Sequence, residues 1–505
     1  MPIPERLPDA PHTAIIRPGA SSAGARALAL CRQLVVFVGI GLSTLGLVFE
    51  CSQYLYSGAY LDHIEGNVVI SGWQYIHGAP LYETQNGAPR LATYYGPLAY
   101  LAEVPTLLLF GATVAASKLT SIMALLGTVM MLSAYFIRQA SSEARHGIFL
   151  LVAALLLFSP MSFWVRPDPI ETLLVAGAVV STLSHRRPLW VGICIGLAVN
   201  LKIHAVFYFL PILVDLWWTA GGRAILFAAG TSVATFILPF LAPGITLGDY
   251  IGELAQQVGG RVPTSAQLPW TLISVALIQL PVSVPLTLQR QPHQTKVYAS
   301  ATLATMALLV YPATFPGAGA YHFLPLVPVL ADLRHRLWPS GIDVELTTLV
   351  ILFAAWLPVQ HTLQALAAER GSDLIAAEAL ALARKSPVQP VQVGYGDNRH
   401  SYQLSQLSKA VLSLNSYPAL LDAQVLMELH QVGIDGSTTW IPRLRECRIR
   451  RWLLPRGEGP FAIRSYFYDD GAVFSESFRR SFFEHYMLLG STEHFDVWTC
   501  ADHRE

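Results

Sequence analysis

The sequence has few charged residues. Asp, Glu, Lys and Arg make up 13% of its 505 residues, whereas an ordinary soluble domain carries about 25%. Hydrophobic residues make up 53%, and the mean hydropathy is +0.44. Basic and acidic residues are balanced at 33 each, so the chain lacks the basic excess of nucleic-acid-binding proteins. This composition argues against a nucleic-acid partner and indicates an integral membrane protein, with membrane lipids as its surroundings.

Cysteine is scarce too, and the common short motifs of catalysis and metal binding are missing. The five cysteines show no Cys-x-x-Cys spacing and no nearby histidine pair, so no zinc site is indicated. Cys447 and Cys500 lie in the polar C-terminal part, where either a disulfide between them or two unpaired thiols is open. The sequence contains no P-loop, no H-E-x-x-H motif and no EF-hand loop, which leaves no nucleotide-binding fingerprint.

Long apolar segments recur through the first 360 residues. Segments of this kind can cross the roughly 30 Å hydrocarbon core of a bilayer as helices. They predict an α-helical polytopic membrane protein with about 11–12 transmembrane helices. The segments are residues 34–54, 117–137, 147–165, 170–184, 188–200, 204–218, 223–241, 268–288, 297–313, 321–333 and 344–360.

The remainder of the chain predicts a soluble α/β domain. Charge rises after residue 360 and long apolar runs end there. Short apolar runs at Val391–Gly394, Trp452–Leu454 and Phe495–Trp498 predict strands, and Ala419–Gln431 has helical apolar spacing. The predicted parts are a cytoplasmic N-terminal tail, a transmembrane domain with an outer loop at 51–93, and an extracytoplasmic α/β domain, at residues 1–33, 34–360 and 361–505.

The basic loops predict which segments face the same side of the membrane. Short cytoplasmic loops are enriched in Lys and Arg. All the basic loops fall on the side of the N-terminus if the run 94–111, which contains two prolines and Glu103, does not cross completely. The loops 51–93, 166–169 and 242–267 then share the outer side with the C-terminal domain. The basic loops are at 138–145, 186–187, 223, 290–296 and 334–336.

The first outer loop predicts a short amphipathic helix lying in the membrane interface. Asp62 and Glu65 precede it, close to the point where the first helix leaves the bilayer. An apolar stripe faces a polar stripe at helical spacing, with Val69, Trp73 and Ile76 on one side and Asn67, Ser71 and Gln74 on the other.

Five short elements occur in a fixed order along residues 34–360, and together they resemble the GT-C superfamily of membrane glycosyltransferases. The resemblance is to the bacterial relatives of the dolichyl-phosphate-mannose and aminoarabinose transferases. The elements are Glu65 ahead of G-A-P-L-Y at 78–82, Y-G-P-L at 95–98, R-P-D-P at 166–169, G-L-A-V-N-L-K at 196–202, and Y-H-F-L-P-L at 321–326.

The resemblance implies a GT-C-like fold and a reaction. A hexose or pentose would pass, with inversion, from a polyprenyl-phosphate donor to a lipid, glycan or protein acceptor of the cell envelope. The site would face the periplasm from the bacterial inner membrane. The reaction requires a carboxylate base. Glu65 is the first choice, with Asp62 and Asp168 as the other candidates, because many relatives carry an Asp-Glu pair where this chain has Ile64-Glu65.

The remaining candidates would bind the carrier phosphate. Lys202 lies in an apolar stretch, where an unpaired cation is costly. It is therefore predicted to bind phosphate, with Arg166 or His204. Lys202 could instead snorkel to the interface, Arg166 could simply pair with Asp168, and His322 could be a core histidine. Tyr95, Tyr321 and His322 complete the predicted site. No ligand spacing demands a metal, although some GT-C enzymes bind a divalent ion.

Two other functions remain open. A transporter or flippase for a lipid-linked or amphipathic solute would also need intramembrane charge and broken helices, but it should show inverted repeats, and none is visible. A non-catalytic scaffold that presents its outer domain to partners is the second alternative.

Overall fold

The computed structural model describes most of the chain. The described residues are 23–82, 91–139, 144–258, 262–288, 291–337, 343–386, 389–466 and 471–501. Parts of several predictions lie outside them, namely residues 1–22 of the N-terminal tail, 83–90 of the first outer loop, 140–143 and Arg290 of two basic loops, 259–261 of the outer loop 242–267, and 387–388, 467–470 and 502–505 of the C-terminal domain. Within the described ranges the chain is mainly helical with one small C-terminal sheet, so the predicted fold class is confirmed.

Thirteen helices precede residue 337 in the described part of the chain. Four apolar stretches are long enough to cross a membrane, at Leu30–Tyr56, Val114–Arg138, Ile203–Leu241 and Leu346–Lys385, as expected of an integral membrane protein. The helices are α1 Ala23–Tyr56, α2 His63–Ile76, α3 Pro97–Leu101, α4 Val104–Phe110, α5 Val114–Arg138, α6 Ala144–Leu157, α7 Pro167–Val180, α8 Arg187–Leu201, α9 Leu210–Ile237, α10 Leu247–Val258, α11 Leu268–Leu288, α12 His293–Ala313 and α13 Val327–Arg336.

Helix α9 is broken at Gly221, where φ is 75°. Before the break, Asp215 accepts a 2.5 Å hydrogen bond from Arg187 at the start of α8. After it, the carbonyl of Phe236 accepts a 2.9 Å bond from Asn200 near the end of α8. The chain therefore runs down beside α8, reverses at Gly221 and returns. This gives two crossing segments, as the separate apolar runs on either side of the break predicted.

The run 94–111 forms two short helices, α3 and α4, as its prolines predicted. The buried ammonium of Lys118, near the start of α5, donates to the carbonyls of Tyr54 at 2.7 Å, Ser57 at 2.8 Å and Ala59 at 2.7 Å. The start of α5 thus lies beside the end of α1. The chain between the end of α1 and the start of α5 therefore begins and ends at the same end of the bundle. This fits the topology in which the run 94–111 does not cross the membrane completely.

A cluster of ion pairs joins helices at the opposite end. Arg336 contacts Asp332 at 2.8 Å and Asp215 at 3.0 Å, and Tyr135 donates to Asp332 at 3.2 Å. Arg187 shares Asp215. The contacts connect the basic ends of α5, α8, α9 and α13, so the basic loops that these helices carry share one end of the molecule.

The C-terminal part adds seven helices and four strands among the described residues. The predicted domain boundary at residue 361 falls inside a helix rather than between two. The elements are α14 Asp343–Ala354, α15 Trp356–Ala368, α16 Ser372–Lys385, β1 Val391–Val393, α17 Arg399–Leu414, α18 Ala423–Gln431, α19 Ile441–Arg445, β2 Arg451–Pro455, α20 Glu476–His485, β3 Tyr486–Ser491 and β4 Phe495–Cys500.

The sheet has the strand order β1-β2-β4-β3, with β1 parallel to β2 and the other pairs antiparallel. The three predicted strands are present. The edge strand β3 was not predicted, because most of its side chains are exposed and it lacks a buried apolar run. A disulfide joins Cys447 to Cys500, whose Cα atoms are 5.9 Å apart, so one of the two open readings for these cysteines holds.

The predicted short amphipathic helix is present as α2, and most of its residues are buried. Its place in the membrane interface stays a prediction. The amide of Asn67 donates to Asp422 at 2.5 Å, and Gln74 donates to Ser413 at 3.3 Å. The polar stripe is therefore covered by the C-terminal domain, where it finds hydrogen-bond partners that a sequence pattern does not reveal.

Asp422 is the centre of this contact and is fully buried. Besides Asn67, its carboxylate accepts hydrogen bonds from Gln406 at 2.5 Å and Tyr395 at 2.9 Å, and Lys409 lies 3.5 Å away. Burial alone would raise the pKa of Asp422, but the Lys409 cation and these donors more than offset it and lower the pKa. Lys409 keeps the Asp422 carboxylate charged, and the bond from Asn67 to that carboxylate joins α2 to the C-terminal domain.

We expect Asp422→Asn to weaken this contact strongly. The change leaves the buried Lys409 cation without its anion, a loss that costs about 3–5 kcal/mol in buried pairs. Denaturant unfolding of the purified protein in detergent should show the loss. The matched change Glu446→Gln, in the exposed pair with Arg448, should leave the midpoint unchanged. Equal midpoints for the two variants would contradict this role of Asp422.

Candidate active site

Three charged side chains of the predicted site stand at helix ends that meet in space. Asp62 caps the start of α2, Arg166 caps the start of α7, and Lys202 follows the last residue of α8. All three have extended backbone, with φ of −135°, −145° and −140°. Each side chain can therefore point away from its helix, and all three line one cavity of about 570 Å³.

The Y-G-P-L element brings Tyr95 to this cavity by packing on the end of α8. Gly96 donates to the carbonyl of Leu201 at 3.1 Å, and Leu98 donates to the side chain of Asn200 at 2.9 Å. A Cβ on Gly96 would lie 1.8 Å from the Asn200 carbonyl oxygen. Only glycine permits this approach, which places two predicted elements side by side.

Arg166 is 5% exposed and is held on several sides. Its guanidinium donates to Asp62 at 2.8 Å, to Tyr95 at 2.9 Å and to Tyr321 at 3.3 Å. It also lies 4.2 Å from the centroid of the Trp164 ring. Such a fork of fixed donors suits a phosphate group.

Lys202 does not snorkel, since it is 5% exposed and contacts Asp168 at 2.5 Å and Glu171 at 3.6 Å. Asp168 is fully buried. The alternative in which Arg166 simply pairs with Asp168 is also wrong as the main contact. Their closest atoms are 4.0 Å apart, and each has a nearer partner of opposite charge.

His204 and His322 are neighbours at the cavity. Nε2 of His204 lies 3.1 Å from Nδ1 of His322, and the Tyr321 ring stacks on His322 with centroids 4.6 Å apart. Both imidazoles line the same space as the two cations. In the neutral pair one imidazole donates this bond and the other accepts it, so only the accepting ring has its N–H available for a different acceptor.

The rest of the cavity wall is apolar. Ile203 is 49%, Leu308 48% and Tyr311 63% exposed, and these side chains face the cavity beside Phe207 and Phe315. Ile203 and Phe207 lie in the turn that follows α8, Leu308 and Tyr311 lie on α12, and Phe315 follows α12. The charged part of the cavity is therefore next to exposed apolar side chains.

Asp62 keeps its negative charge in this setting. Burial alone would raise the pKa of its carboxyl group, but His63 and Arg166 outweigh burial and lower it. The side chain remains 18% exposed. Asp62 is thus an ionised carboxylate with access to the cavity.

Glu65 lies behind the cavity and does not line it. Its carboxylate accepts four hydrogen bonds, from the backbone of Leu61, Asp62 and Val165 and from the hydroxyl of Tyr54. Burial raises the pKa of Glu65, partly opposed by the Tyr54 and Val165 bonds. These contacts use the carboxylate to connect α1, α2 and the loop before α7.

Most of the predicted site residues thus line the same cavity, and two of them do not. Glu65 and Asp168 stand behind it, each bonded to residues that shape it. The residues in the wall are Asp62, Tyr95, Arg166, Lys202, His204, Tyr321 and His322.

Three further residues were not predicted. Glu171 is buried beside Lys202. Its position as an acidic residue inside an apolar stretch could have identified it as a candidate site residue. Gln424 and Glu428 line the cavity from α18. The sequence did not indicate Gln424 and Glu428 as site residues, because polar residues opposite the apolar face of a helix are ordinarily solvated.

Asp62, in the cavity wall, is already paired with Arg166, which disfavours a divalent cation beside it. Among the described residues, three potential ligands come within 4.8 Å of one another only at Glu378, Glu493 and His494, in the C-terminal domain.

Comparison with known proteins agrees with the predicted resemblance. A family model for glycosyltransferase family 87 matches residues 93–311, which include Tyr95, Arg166 and Lys202. The predicted resemblance to GT-C membrane glycosyltransferases is thereby confirmed. No curated protein matches the chain.

Solved structures of ArnT from Cupriavidus metallidurans are similar at low identity. The structure bound to undecaprenyl phosphate is 14% identical, with a TM-score of 0.45, and the match covers 85% of this chain and 80% of that one. The apo structure is 13% identical, with a TM-score of 0.46, and the match covers 83% and 80%.

We expect Glu65→Gln to destabilise the protein. The amide nitrogen must face donors that now bond to a carboxylate oxygen, and an unmet buried donor costs about 1–3 kcal/mol. A lower unfolding midpoint than that of Glu484→Gln, an exposed site, would show it. An unchanged midpoint with loss of sugar transfer would instead make Glu65 the base.

Proposed function

We propose that the protein is an inverting glycosyltransferase that takes its sugar from a polyprenyl-phosphate donor. The observation that carries this proposal is that one cavity has a cationic part and an apolar part. Arg166 and Lys202 stand in one part of its wall, and the exposed apolar side chains of Ile203, Leu308 and Tyr311 form another. A phosphate attached to a long isoprenoid chain has the same division of charge and apolar surface.

The side chains of Arg166 and Lys202 are already oriented in the absence of a bound anion. Asp62 orients Arg166, and Asp168 orients Lys202. Groups held in this way need little rearrangement when charge develops on a leaving phosphate. The ring of Tyr321, 4.8 Å from Arg166 and 5.2 Å from Lys202, shields both from water on one side.

Asp62 is the proposed general base, in place of Glu65. It is the ionised carboxylate beside the phosphate-binding cations, and it has oxygen lone pairs beyond those used by Arg166 and the α2 backbone. Glu65 uses its lone pairs on structural donors. Asp168 is engaged with Lys202, so it serves as an orienting group.

The proposed step breaks the bond between the anomeric carbon and the phosphate oxygen. The acceptor hydroxyl oxygen forms the new bond from the opposite face, and its proton goes to Asp62. The electron pair of the broken bond stays on the polyprenyl phosphate, whose charge Arg166 and Lys202 stabilise. The configuration at the anomeric carbon is inverted.

The proposed setting is the outer face of a bacterial inner membrane. The cavity lies at the end of the bundle opposite the basic cluster around Arg187 and Arg336, and basic ends favour the cytoplasm. The donor sugar would be a hexose or pentose, and the acceptor a hydroxyl of a cell-envelope lipid, glycan or protein.

We expect Asp62→Asn to reduce sugar transfer at least about 100-fold, since a general base contributes roughly 10²–10⁴. Transfer from a panel of undecaprenyl-phosphate hexoses and pentoses would be measured with membrane extracts as acceptor. Asp249→Asn, at a half-buried carboxylate outside the cavity wall, is the matched control and should transfer as wild type does. Wild-type rates for Asp62→Asn would remove Asp62 from the reaction.

We expect Arg166→Gln to bind undecaprenyl phosphate about 10- to 100-fold more weakly, because a hydrogen bond to a charged group contributes about 1.5–3 kcal/mol. Binding of undecaprenol, which lacks the phosphate, should not change. The same substitution at Arg186, an exposed residue outside the cavity, is the control. Equal losses for the phosphate and the alcohol would argue against a phosphate contact.

A further inference from the structure

The C-terminal domain supplies part of the cavity wall. Gln424 and Glu428 stand one turn apart on α18 and line the same space as Arg166 and Lys202. They are only 1% and 2% exposed. They therefore form a buried polar pair in a wall that is otherwise mostly cationic or apolar. The proposed reaction gives them no role so far.

The pair is held in a defined orientation. The amide of Gln424 donates to Glu428 at 2.7 Å and accepts from Tyr402 at 3.3 Å. The start of α18 is capped by Asp422, which also binds Asn67 of α2. One network therefore sets the position of α18 relative to the helix that carries Asp62.

The chemistry of the pair differs from that of the phosphate-binding wall. The Glu428 carboxylate repels a phosphate anion. Its oxygens accept hydrogen bonds from hydroxyl groups, and an amide such as that of Gln424 can donate and accept them. A carboxylate oxygen has more than one lone pair, so Glu428 can accept from a hydroxyl in addition to its bond from Gln424, and such bonds to a charged acceptor are strong. Adjacent hydroxyls on a saturated ring are the groups that this arrangement fits.

We infer that Gln424 and Glu428 bind hydroxyls of the transferred sugar, so that the C-terminal domain determines which sugar is accepted. The inference rests on the proposed function, since it places the sugar beside a phosphate held by Arg166 and Lys202. A site built to hydrogen-bond a hydroxyl rejects an analogue without it, because its own buried polar groups are then left unpaired. Selection among sugars would follow from this rule.

The test separates binding of the sugar from binding of the carrier. Dissociation constants of the full-length protein in nanodiscs would be measured for undecaprenyl phosphate and for undecaprenyl-phosphate glucose, galactose, mannose and arabinose. For each sugar, the ratio of the dissociation constant of undecaprenyl phosphate to that of the undecaprenyl-phosphate sugar gives the gain in affinity that the sugar provides. We expect one sugar to add at least about tenfold in wild type, the value of one hydrogen bond to a charged group.

Glu428→Gln should reduce that ratio about tenfold and leave the constant for undecaprenyl phosphate within about twofold. Glu428→Asp, which keeps the charge and shortens the side chain, should also lower it and guards against misfolding of a single variant. Glu446→Gln, an exposed change in the same domain, should leave the ratio as in wild type.

An unchanged ratio in Glu428→Gln, or no gain from any sugar in wild type, would overturn the inference. Failure of wild type to bind undecaprenyl phosphate itself would overturn the proposed function instead. The two failures are therefore distinguishable.

Discussion

The buried ion pair between Asp168 and Lys202 is the contact on which the arrangement of the site depends. A lysine among apolar helices is stable only with an anion beside it, and Asp168 provides one at 2.5 Å from the first turn of α7. The pair joins the start of α7 to the end of α8. Because Arg166 precedes α7, the same contact places the guanidinium and the ammonium in one cavity wall.

Backbone contacts make this convergence possible. The end of α8 receives Gly96 so closely that a side chain there would collide with Asn200, and this approach puts Tyr95 between the two cations. Lys118 ties the start of α5 to the end of α1, which keeps Asp62 at the same end of the bundle. Short motifs at helix ends therefore act together although they are far apart in the chain.

The C-terminal domain is part of the site rather than an appendage. Its Asp422 binds Asn67 of α2, and its α18 carries Gln424 and Glu428 into the cavity. A membrane bundle alone would supply the cations, the carboxylate and the apolar opening. The added domain supplies neutral and acidic hydrogen-bonding groups, which are the kind needed to distinguish one polyhydroxylated ring from another.

Much of the architecture followed from sequence pattern alone. Apolar runs of sufficient length must form helices in a bilayer, since no other structure satisfies the backbone there. The prolines in 94–111 predicted a broken element, and Arg166 and Lys202 stood out because charge in apolar surroundings is costly. Short apolar runs likewise indicated three of the four strands.

Other features depended on contacts between distant segments, which no local pattern encodes. Glu65 and Asp62 are both acidic residues after the first helix, and only the folded chain shows that Glu65 accepts structural hydrogen bonds while Asp62 faces the cavity. Asp422 and Ser413 of the C-terminal domain cover the polar stripe of α2, and nothing in the pattern of residues 67–74 indicates these partners. Sequence determined which residues are costly to bury. Tertiary structure decided which partners meet that cost, because those partners lie on other elements, 34 residues apart for Asp168 and Lys202 and 355 apart for Asn67 and Asp422.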